Sequence, residues 1–241
     1  VYIDLTSTGS GASQRLSGAG GLLSLLGGNG TNGISTADGS GTAGAIFGGF
    51  AFTTATTNLT ANISASVGNN ATVNGGGDVS VVATSYANAG GASRTIAGGL
   101  IGYGDATVNL NLSQDVGALI GTGAHVTSGQ NASIKADSHF YVTSTTYASG
   151  GGGLSGVDSD TTANVNHSTH AEVGTSASVV AAGNLDLRAL AHFGGALNDT
   201  GESGGSATRP DVDSNLNMGG GSRQVTLVRI GAGATVYAEG I

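Results

Sequence analysis

Apolar and polar positions follow one 17-residue pattern that recurs along the chain. Its full copies are Val67–Ala83, Ile120–Ala136 and Val173–Ala189, which begin 53 residues apart without a gap. A shortened fourth copy, Ile230–Ile241, begins 57 residues after the third. A fixed period of this length is typical of repeat proteins, in which each unit buries its apolar face against the next unit.

The end of each copy predicts a β-strand with one buried face. Across Val79–Ala83 and its equivalents, the first, third and fifth positions are apolar, whereas Lys135 and Arg188 stand at the fourth position. This in-out alternation has the period of a strand, and it places both charges on the outer side. The residues just before the strand are Gly, Gln, Asn or Asp, most of which favour turns.

Stacked units would place equivalent residues in columns. The columns that we predict are Val73, Val126 and Val179 for the apolar core, and Asn58, Asn111 and Asn164 for an amide ladder. We expect the amides to point inward and to bond from layer to layer, as asparagine ladders do. A corner position for the three asparagines is the alternative. Asn215 is expected to be the fourth member of this series.

Composition favours an all-β solenoid over an ordinary globular domain. The 241 residues include 46 Gly and one Pro, and only 5% are aromatic and 9% charged. Large aromatic side chains dominate most globular cores, so a core of Val, Ile, Leu, Ala and Gly must be built by repetition. Because β-branched residues and Gly/Asn/Asp corners predominate, we predict a parallel β-helix, also called a β-solenoid.

The number of coils in each 53-residue unit is open from the sequence. Three coils of about 18 residues, two larger coils or one broad flattened coil would all fit the period. We favour several short parallel strands in each unit. The glycine-rich half of each unit predicts either tightly packed backbone layers or mobile loops on one side.

We expect one continuous solenoid in five parts. These are an irregular Gly-rich segment (1–49), repeat 1 (50–104), repeat 2 (105–157), repeat 3 (158–212) and a partial repeat 4 (213–241). Leu22–Leu26 predicts either a helical turn or a strand, and Pro210 predicts a loop or an edge strand. An insertion near Gly219–Gly221 would explain the longer final step.

Charge excludes some partners. The net charge is −8 and the estimated pI is 4.7, without a basic patch, so nucleic acids and anionic membrane surfaces are not expected partners. The longest apolar run, Leu22–Leu26, is far shorter than the ~20 residues of a membrane-spanning helix. The chain has no Cys, which excludes disulfides and is compatible with export. No signal peptide is visible, and we interpret the chain as a window of a longer repeat array.

The sequence predicts no catalytic residue and no cofactor, because no acid–base constellation recurs. Paired carboxylates at the expected junctions between units are the only candidates for calcium or glycan binding: Asp158, Asp160, Asp211 and Asp213. Solvated loop charge is the favoured interpretation of these four. Asp78, Asn131 and Asn184 are assigned to turns, since only Asp78 has the carboxylate that calcium prefers.

Histidines are weighed as possible metal ligands. His167 and His170 are three residues apart, which in a strand places them on opposite faces and argues against a shared ion. His139 and His192 occupy equivalent positions, and Tyr86 stands at the same position in the first repeat. We therefore expect these three rings to form a stack on one face.

The ordered repeat pattern is A-x-[VI]-G-x-x-A-x-V, followed by [GQ]-[DN]-[VAL]-x-[VIL]-x-A. It is carried by Ala65–Ala83, Ala118–Ala136 and Ala171–Ala189, and in part by Ile230–Ile241. From about Phe50 onward, the chain resembles the repeats of bacterial leukotoxin-type filamentous adhesins and related giant exoproteins. The resemblance implies a secreted, β-helical shaft and carries over no catalytic residue.

The expected function is that of a structural shaft segment, not an enzyme, in a large secreted or cell-surface bacterial adhesin or extracellular matrix fibre of a biofilm. Expected partners are other shafts, through solenoid ends or sides, and host or surface glycans. One alternative is a self-assembling extracellular filament subunit. The other is a glycan-binding or polysaccharide-degrading β-helix protein.

Overall fold

The computed structural model describes residues 15–18, 23–26, 33–44, 47–219 and 224–240. These ranges contain fifteen strands and no helix. The strands are β1 (Arg15–Gly18), β2 (Leu23–Leu26), β3 (Gly33–Gly44), β4 (Gly48–Val67), β5 (Thr72–Gly75), β6 (Val79–Gly98), β7 (Ile101–Ile120), β8 (His125–Ser128), β9 (Ala132–Gly151), β10 (Leu154–Val173), β11 (Ser178–Ala181), β12 (Leu185–Gly204), β13 (Ala207–Met218), β14 (Val225–Ile230) and β15 (Thr235–Ala238).

The strands form three parallel sheets, which confirms the predicted all-β solenoid. The leading sheet contains β4, β7 and β10, followed by β13 and β14, which lie end to end along β10. The trailing sheet contains β2 and β3, followed by β6, β9 and β12. The end sheet contains the short strands β1, β5, β8, β11 and β15.

Each 53-residue unit forms one broad, flattened coil. In the coil formed by β7, β8 and β9, the two long strands each have 20 residues and are joined through the four-residue β8. The preference for several short strands per unit was therefore wrong. The Ser-, Thr- and Asn-rich stretches between the apolar clusters continue the same alternation of buried and exposed positions, so each strand runs through them.

The coils stack in register. Val73 pairs with Val126, Val126 with Val179, and Val179 with Val236, so the predicted apolar column lies in the end sheet. From β4 onward, the step changes only after β13. Val165 pairs with Met218 at a separation of 53, whereas Ser168 pairs with Val225 at a separation of 57. The insertion thus lies between Met218 and Val225, and its residues 220–223 lie outside the described part of the chain.

The N-terminal segment joins the same sheets with a drifting register. β1 pairs with β5 through Arg15 and Thr72, β2 with β6 through Leu23 and Val79, and β3 with β6 through Gly33 and Ala87. These pairings do not share one separation, because residues are inserted between them. This explains why residues 1–49 cannot be aligned without gaps. The described part of Leu22–Leu26 is strand β2; Leu22 itself lies outside the described residues.

A left-handed residue marks the corner between each long leading strand and its short end-sheet strand. The corner positions are Asn70, Gly123, Ser176 and Gly233, with φ of 56°, 66°, 56° and 67°. Gly and Asn adopt this conformation most easily, and Ser does so at some cost. The repeat therefore preserves a backbone conformation at this corner although it does not preserve a residue type.

The core changes character along each coil. Beside the end sheet it is aliphatic, with Val81, Ile120 and Ile134 among the buried residues. Further along, buried hydroxyl groups of the two long sheets bond to one another. Ser138 Oγ lies 2.6 Å from Thr169 Oγ1, and other pairs join Ser144 to Thr161 and Thr146 to Ser159. The predicted core of Val, Ile, Leu, Ala and Gly is thus incomplete.

The two long sheets approach most closely at the glycine-rich end. A Cβ added at Gly102 would lie 2.5 Å from the carbonyl oxygen of Gly151, and one at Gly49 would overlap the carbonyl oxygen of Gly98. Only a residue without a side chain fits between the sheets at these points. Of the two interpretations of the glycine-rich halves, the structure shows tightly packed backbone layers.

Two local expectations have different outcomes. Pro210 lies in β13, the outermost strand of the leading sheet, and pairs with Val157, in agreement with the predicted edge position. Asn215, expected to continue the asparagine series, instead pairs with Thr162. The true fourth member is Asn217, which pairs with Asn164.

No helix within the described ranges has the length and apolarity to cross a lipid bilayer.

Candidate functional site

The outer face of the leading sheet carries an asparagine ladder. Asn111 Nδ2 donates to Asn58 Oδ1 at 2.9 Å, Asn164 Nδ2 to Asn111 Oδ1 at 2.9 Å, and Asn217 Nδ2 to Asn164 Oδ1 at 3.1 Å. The expected inward orientation is wrong. In β7, the neighbours of Asn111 are the residues that point into the core, and Asn111 itself stays half exposed. A side-chain amide can both donate and accept a hydrogen bond, so the ladder adds one hydrogen bond between each pair of successive coils on the outer face.

We expect Asn111→Ala to lower the free energy of unfolding by about 1–2 kcal/mol, because it breaks two side-chain hydrogen bonds in the middle of the ladder. The matched control is Asn109→Ala, which removes an amide that lies between Thr56 and Thr162 in the neighbouring coils. Urea denaturation followed by circular dichroism measures both. Equal losses in the two variants would show that the ladder contributes no specific stability.

The four candidate carboxylates also lie on this face, within strands and not in junction loops. Asp158 pairs with Asp211 in the next coil, and Asp160 with Asp213. Asp105 pairs with Asp158 from the preceding coil and extends the group. These five side chains form the acidic patch. The predicted loop location was wrong because the strand continues straight through the boundary between repeats.

Crowding within the acidic patch changes its titration. Partial burial and then the charge of Asp158 raise the pKa of Asp160 to about 6, and Asp213 adds to the effect. Partial burial, followed by the charges of Asp105 and Asp211, also raises the pKa of Asp158. The ionised patch is therefore a local source of repulsion, which a bound cation or a proton would relieve.

We expect the free energy of unfolding to fall as the pH rises from about 4 to about 6. Over this interval the folded carboxyl groups retain protons that an unfolded chain, with an Asp pKa of about 3.9, has already released. Asp160→Asn should flatten this decline in denaturant titrations at several pH values. Asp38→Asn, which removes an exposed carboxylate from the trailing sheet, should not. A decline that is unchanged in Asp160→Asn would contradict the assignment.

An aromatic cleft adjoins the acidic patch. Phe50, Tyr103, Leu154 and Arg209 line a cavity of about 380 Å³, and Tyr103 and Arg209 also line a neighbouring cavity of about 370 Å³ that reaches Asp158. Partial burial and the charge of Asp158 raise the pKa of Tyr103, so its hydroxyl group remains protonated at neutral pH. The cleft therefore combines exposed apolar surface, a hydroxyl donor and carboxylate acceptors.

The turn residues behave as the sequence indicates. Asp78 Oδ1 accepts hydrogen bonds from the backbone N–H and the side-chain amide of Asn131, at 2.8 and 3.0 Å. Asn131 Oδ1 in turn accepts from the backbone N–H of Asn184 at 2.9 Å. Each side chain thus bonds to the turn of the next coil. This is a second exposed ladder, in which Asp78 Oδ1 and Asn131 Oδ1 serve as hydrogen-bond acceptors for the next coil.

The histidines separate into two groups. His167 faces the core beside Phe140, where burial lowers its pKa. His170 lies on the outer face, where its Nδ1 is 3.5 Å from Asp115 Oδ1. They lie on opposite faces, as expected. On the outer face of the trailing sheet, Tyr86, His139 and His192 form a stack with ring centroids 4.6 and 4.4 Å apart.

The sequence alone did not reveal the aromatic cleft or the carboxylate beside the histidine stack. Tyr103 and Leu154 stand at the start of long strands, which could be found only if the strand boundaries were known. Asp137 precedes His139 by two positions, a spacing that places both on one face of a strand. That signal was available from the sequence and was not used.

A scan with protein-family models and searches of curated proteins and of solved structures found no match to this chain. The assignment of function therefore depends on the chain's own geometry.

Proposed function

We propose that this chain is a shaft segment of a large secreted or cell-surface bacterial adhesin or extracellular matrix fibre. The observation that supports the proposal is the uniform step of 53 residues between the paired long strands of three successive coils. A structure that repeats without change along one axis transmits shape and force, and its length is set only by the number of coils. The repeat resemblance described above points in the same direction.

The dimensions of one coil determine the width of the proposed shaft and its length per residue. Strands of 20 residues at about 3.3 Å per residue give a ribbon roughly 66 Å wide. Each coil of 53 residues advances the axis by only about 4.8 Å. The ribbon is therefore broad relative to its length, and a long shaft requires a very large protein. Such a ribbon also presents two wide faces, on which its outward side chains are displayed.

The test is to change the number of coils. Deleting residues 101–153 removes one coil and joins Leu100 to Leu154, which takes the place of Ile101, its equivalent in the preceding coil. We expect a folded, cooperatively unfolding protein by circular dichroism. Adding ten copies of the same segment should lengthen the particle by about 48 Å in electron micrographs. The control is deletion of residues 101–120, which removes one strand and should unfold the adjoining coils.

If deletion of the whole coil unfolds the protein as thoroughly as deletion of β7 alone, the coils are not interchangeable and the shaft proposal fails. Light scattering separates the shaft from a self-assembling filament subunit. A shaft segment keeps a constant molar mass over a wide range of protein concentration, whereas a filament subunit grows with concentration.

A second candidate function is binding of a neutral glycan in the aromatic cleft. Phe50 is 57% exposed and Leu154 is 54% exposed, beside carboxylates that can accept hydrogen bonds from sugar hydroxyl groups. The acidic patch favours neutral over anionic sugars, because like charges repel. We expect Tyr103→Ala to abolish binding of neutral oligosaccharides in calorimetry. Tyr141→Ala, at an exposed tyrosine of the trailing sheet, should leave it unchanged. No binding to a neutral glycan array would end this candidate.

A further inference from the structure

A carboxylate and two imidazoles converge on the outer face of the trailing sheet. Asp137 and His139 are two positions apart in β9, so they share one face. His192 lies in β12, directly over His139 in the next coil. The spacing within β9 thus brings Asp137 beside His139, and the register of the solenoid adds His192.

The three donor atoms have the spacing of a metal site. Asp137 Oδ1 lies 3.2 Å from His139 Nε2 and 3.5 Å from His192 Nε2, and all three atoms lie within 4.8 Å of one another. Zinc binds imidazole nitrogen and carboxylate oxygen at about 2.0–2.2 Å, so neighbouring ligands of a tetrahedral zinc ion are roughly 3.3 Å apart. The two distances to the carboxylate match that separation.

Asp137 Oδ1 provides an independent observation. This oxygen is shielded from solvent and accepts no hydrogen bond from the described residues, although two ring nitrogens are within 3.5 Å. The nitrogens are therefore close to the oxygen without being aligned to donate to it. A buried carboxylate oxygen that accepts no hydrogen bond carries an energetic cost, and a cation among the three atoms would remove that cost.

One of the two imidazole rings must rotate before both can bind one ion. His139 and His192 are stacked with planes 10° apart, so their lone pairs are nearly parallel. Rotation about χ2 is required to direct both at one point. The His192 side chain is 52% exposed, which leaves it room to turn, whereas His139 is held between Tyr86 and His192. His192 is thus the ligand that moves.

We propose that Asp137, His139 and His192 bind a divalent transition-metal ion, with zinc as the preferred ion, and that this ion clips two successive coils together. Two nitrogens and one oxygen suit zinc, nickel or copper, whereas calcium and magnesium prefer sites made entirely of oxygen. Three protein ligands leave one tetrahedral position for water at the exposed side. The site is independent of the shaft and glycan proposals.

The test is a thermal unfolding series with the whole chain and added ZnCl₂, followed by calorimetric titration. An ion that binds only the folded state raises the melting temperature, and the stabilisation grows with the logarithm of the ion concentration divided by the dissociation constant. We expect the wild type to bind one Zn²⁺ per chain and to gain stability, while MgCl₂ and CaCl₂ have no effect. Asp137→Asn and His192→Ala should each lower the affinity by at least the roughly 10–100-fold that loss of a supporting partner costs in metal sites.

The matched control is His170→Ala, which removes an outer-face histidine beside Asp115 on the other long sheet. It should bind Zn²⁺ as the wild type does. All three substitutions are at partly exposed positions, and circular dichroism without metal checks that each variant is folded. Cobalt absorption gives a second readout, because tetrahedral Co²⁺ has intense visible bands. Absence of a zinc effect in the wild type, or an equal effect in His192→Ala, would overturn the proposal.

Discussion

Replacing Ile134 by Asp is expected to unfold the solenoid around the second full coil, with a loss of about 4 kcal/mol or more. Ile134 is 2% exposed and lies in a column between Val81 and Leu187 of the adjacent coils. The substitution removes this packing and places a charge where no partner exists within the apolar cluster. Chemical denaturation monitored by circular dichroism measures the loss.

The control is the next residue along the strand. Lys135 points outward, and its Nζ lies 2.9 Å from Asp186 Oδ2 in the next coil. Because this ion pair is partly exposed, Lys135→Ala should cost no more than about 1 kcal/mol. If the two variants lose the same stability, the assignment of buried and exposed faces in β9 is incorrect.

Replacing Gly152 by Ala is expected to cost roughly 2–4 kcal/mol. Gly152 forms the corner between β9 and β10 with φ of +150°, a conformation that side chains disfavour. A Cβ at this position would overlap the carbonyl oxygen of Gly99, the equivalent corner residue of the preceding coil. Backbone strain and the clash act together, and neither can be relieved without moving a whole corner.

Gly151→Ala provides a matched comparison one residue away. A Cβ at Gly151 would meet nothing within 4 Å, so this variant should be close to wild type in the same denaturation experiment. The difference in stability between Gly152→Ala and Gly151→Ala shows whether glycine is required at this corner position in particular or throughout the glycine-rich segment. Equal destabilisation would mean that the close approach at Gly152 is not what makes glycine necessary there.

The repeat could be recognised in the sequence because equivalent residues stack directly over one another in the structure. Residues such as Val73 and Val126 occupy the same position in successive coils, so a period in the sequence becomes a column in the structure. The size of the coil was harder to predict. Polar residues such as Thr146 and Ser159 are buried in hydroxyl pairs, so apolar residues alone understate the length of each strand.

The candidate sites depend on which residues of successive coils are paired. Asp158 and Asp211 are distant in the sequence and adjacent in the sheet, and their mutual repulsion exists only because the coils are aligned. Asn217 was missed as the last ladder residue because Asn215-Leu216 repeats the Asn-Leu pair of the earlier copies, although the step of 53 residues continues unchanged to Asn217. A sequence alignment that places one gap a few residues too early changes which side chains meet.

The sequence by itself determined the all-β class, the 53-residue period, the apolar column of the end sheet and the stacking of Tyr86, His139 and His192. These properties follow from the alternation and recurrence of residues, which the chain carries in one dimension. Only the tertiary structure decided that each unit is one wide coil and that the asparagine ladder faces outward. Those outcomes depend on how two long sheets face each other, and that relation depends on side-chain volume across the core, which periodicity does not specify.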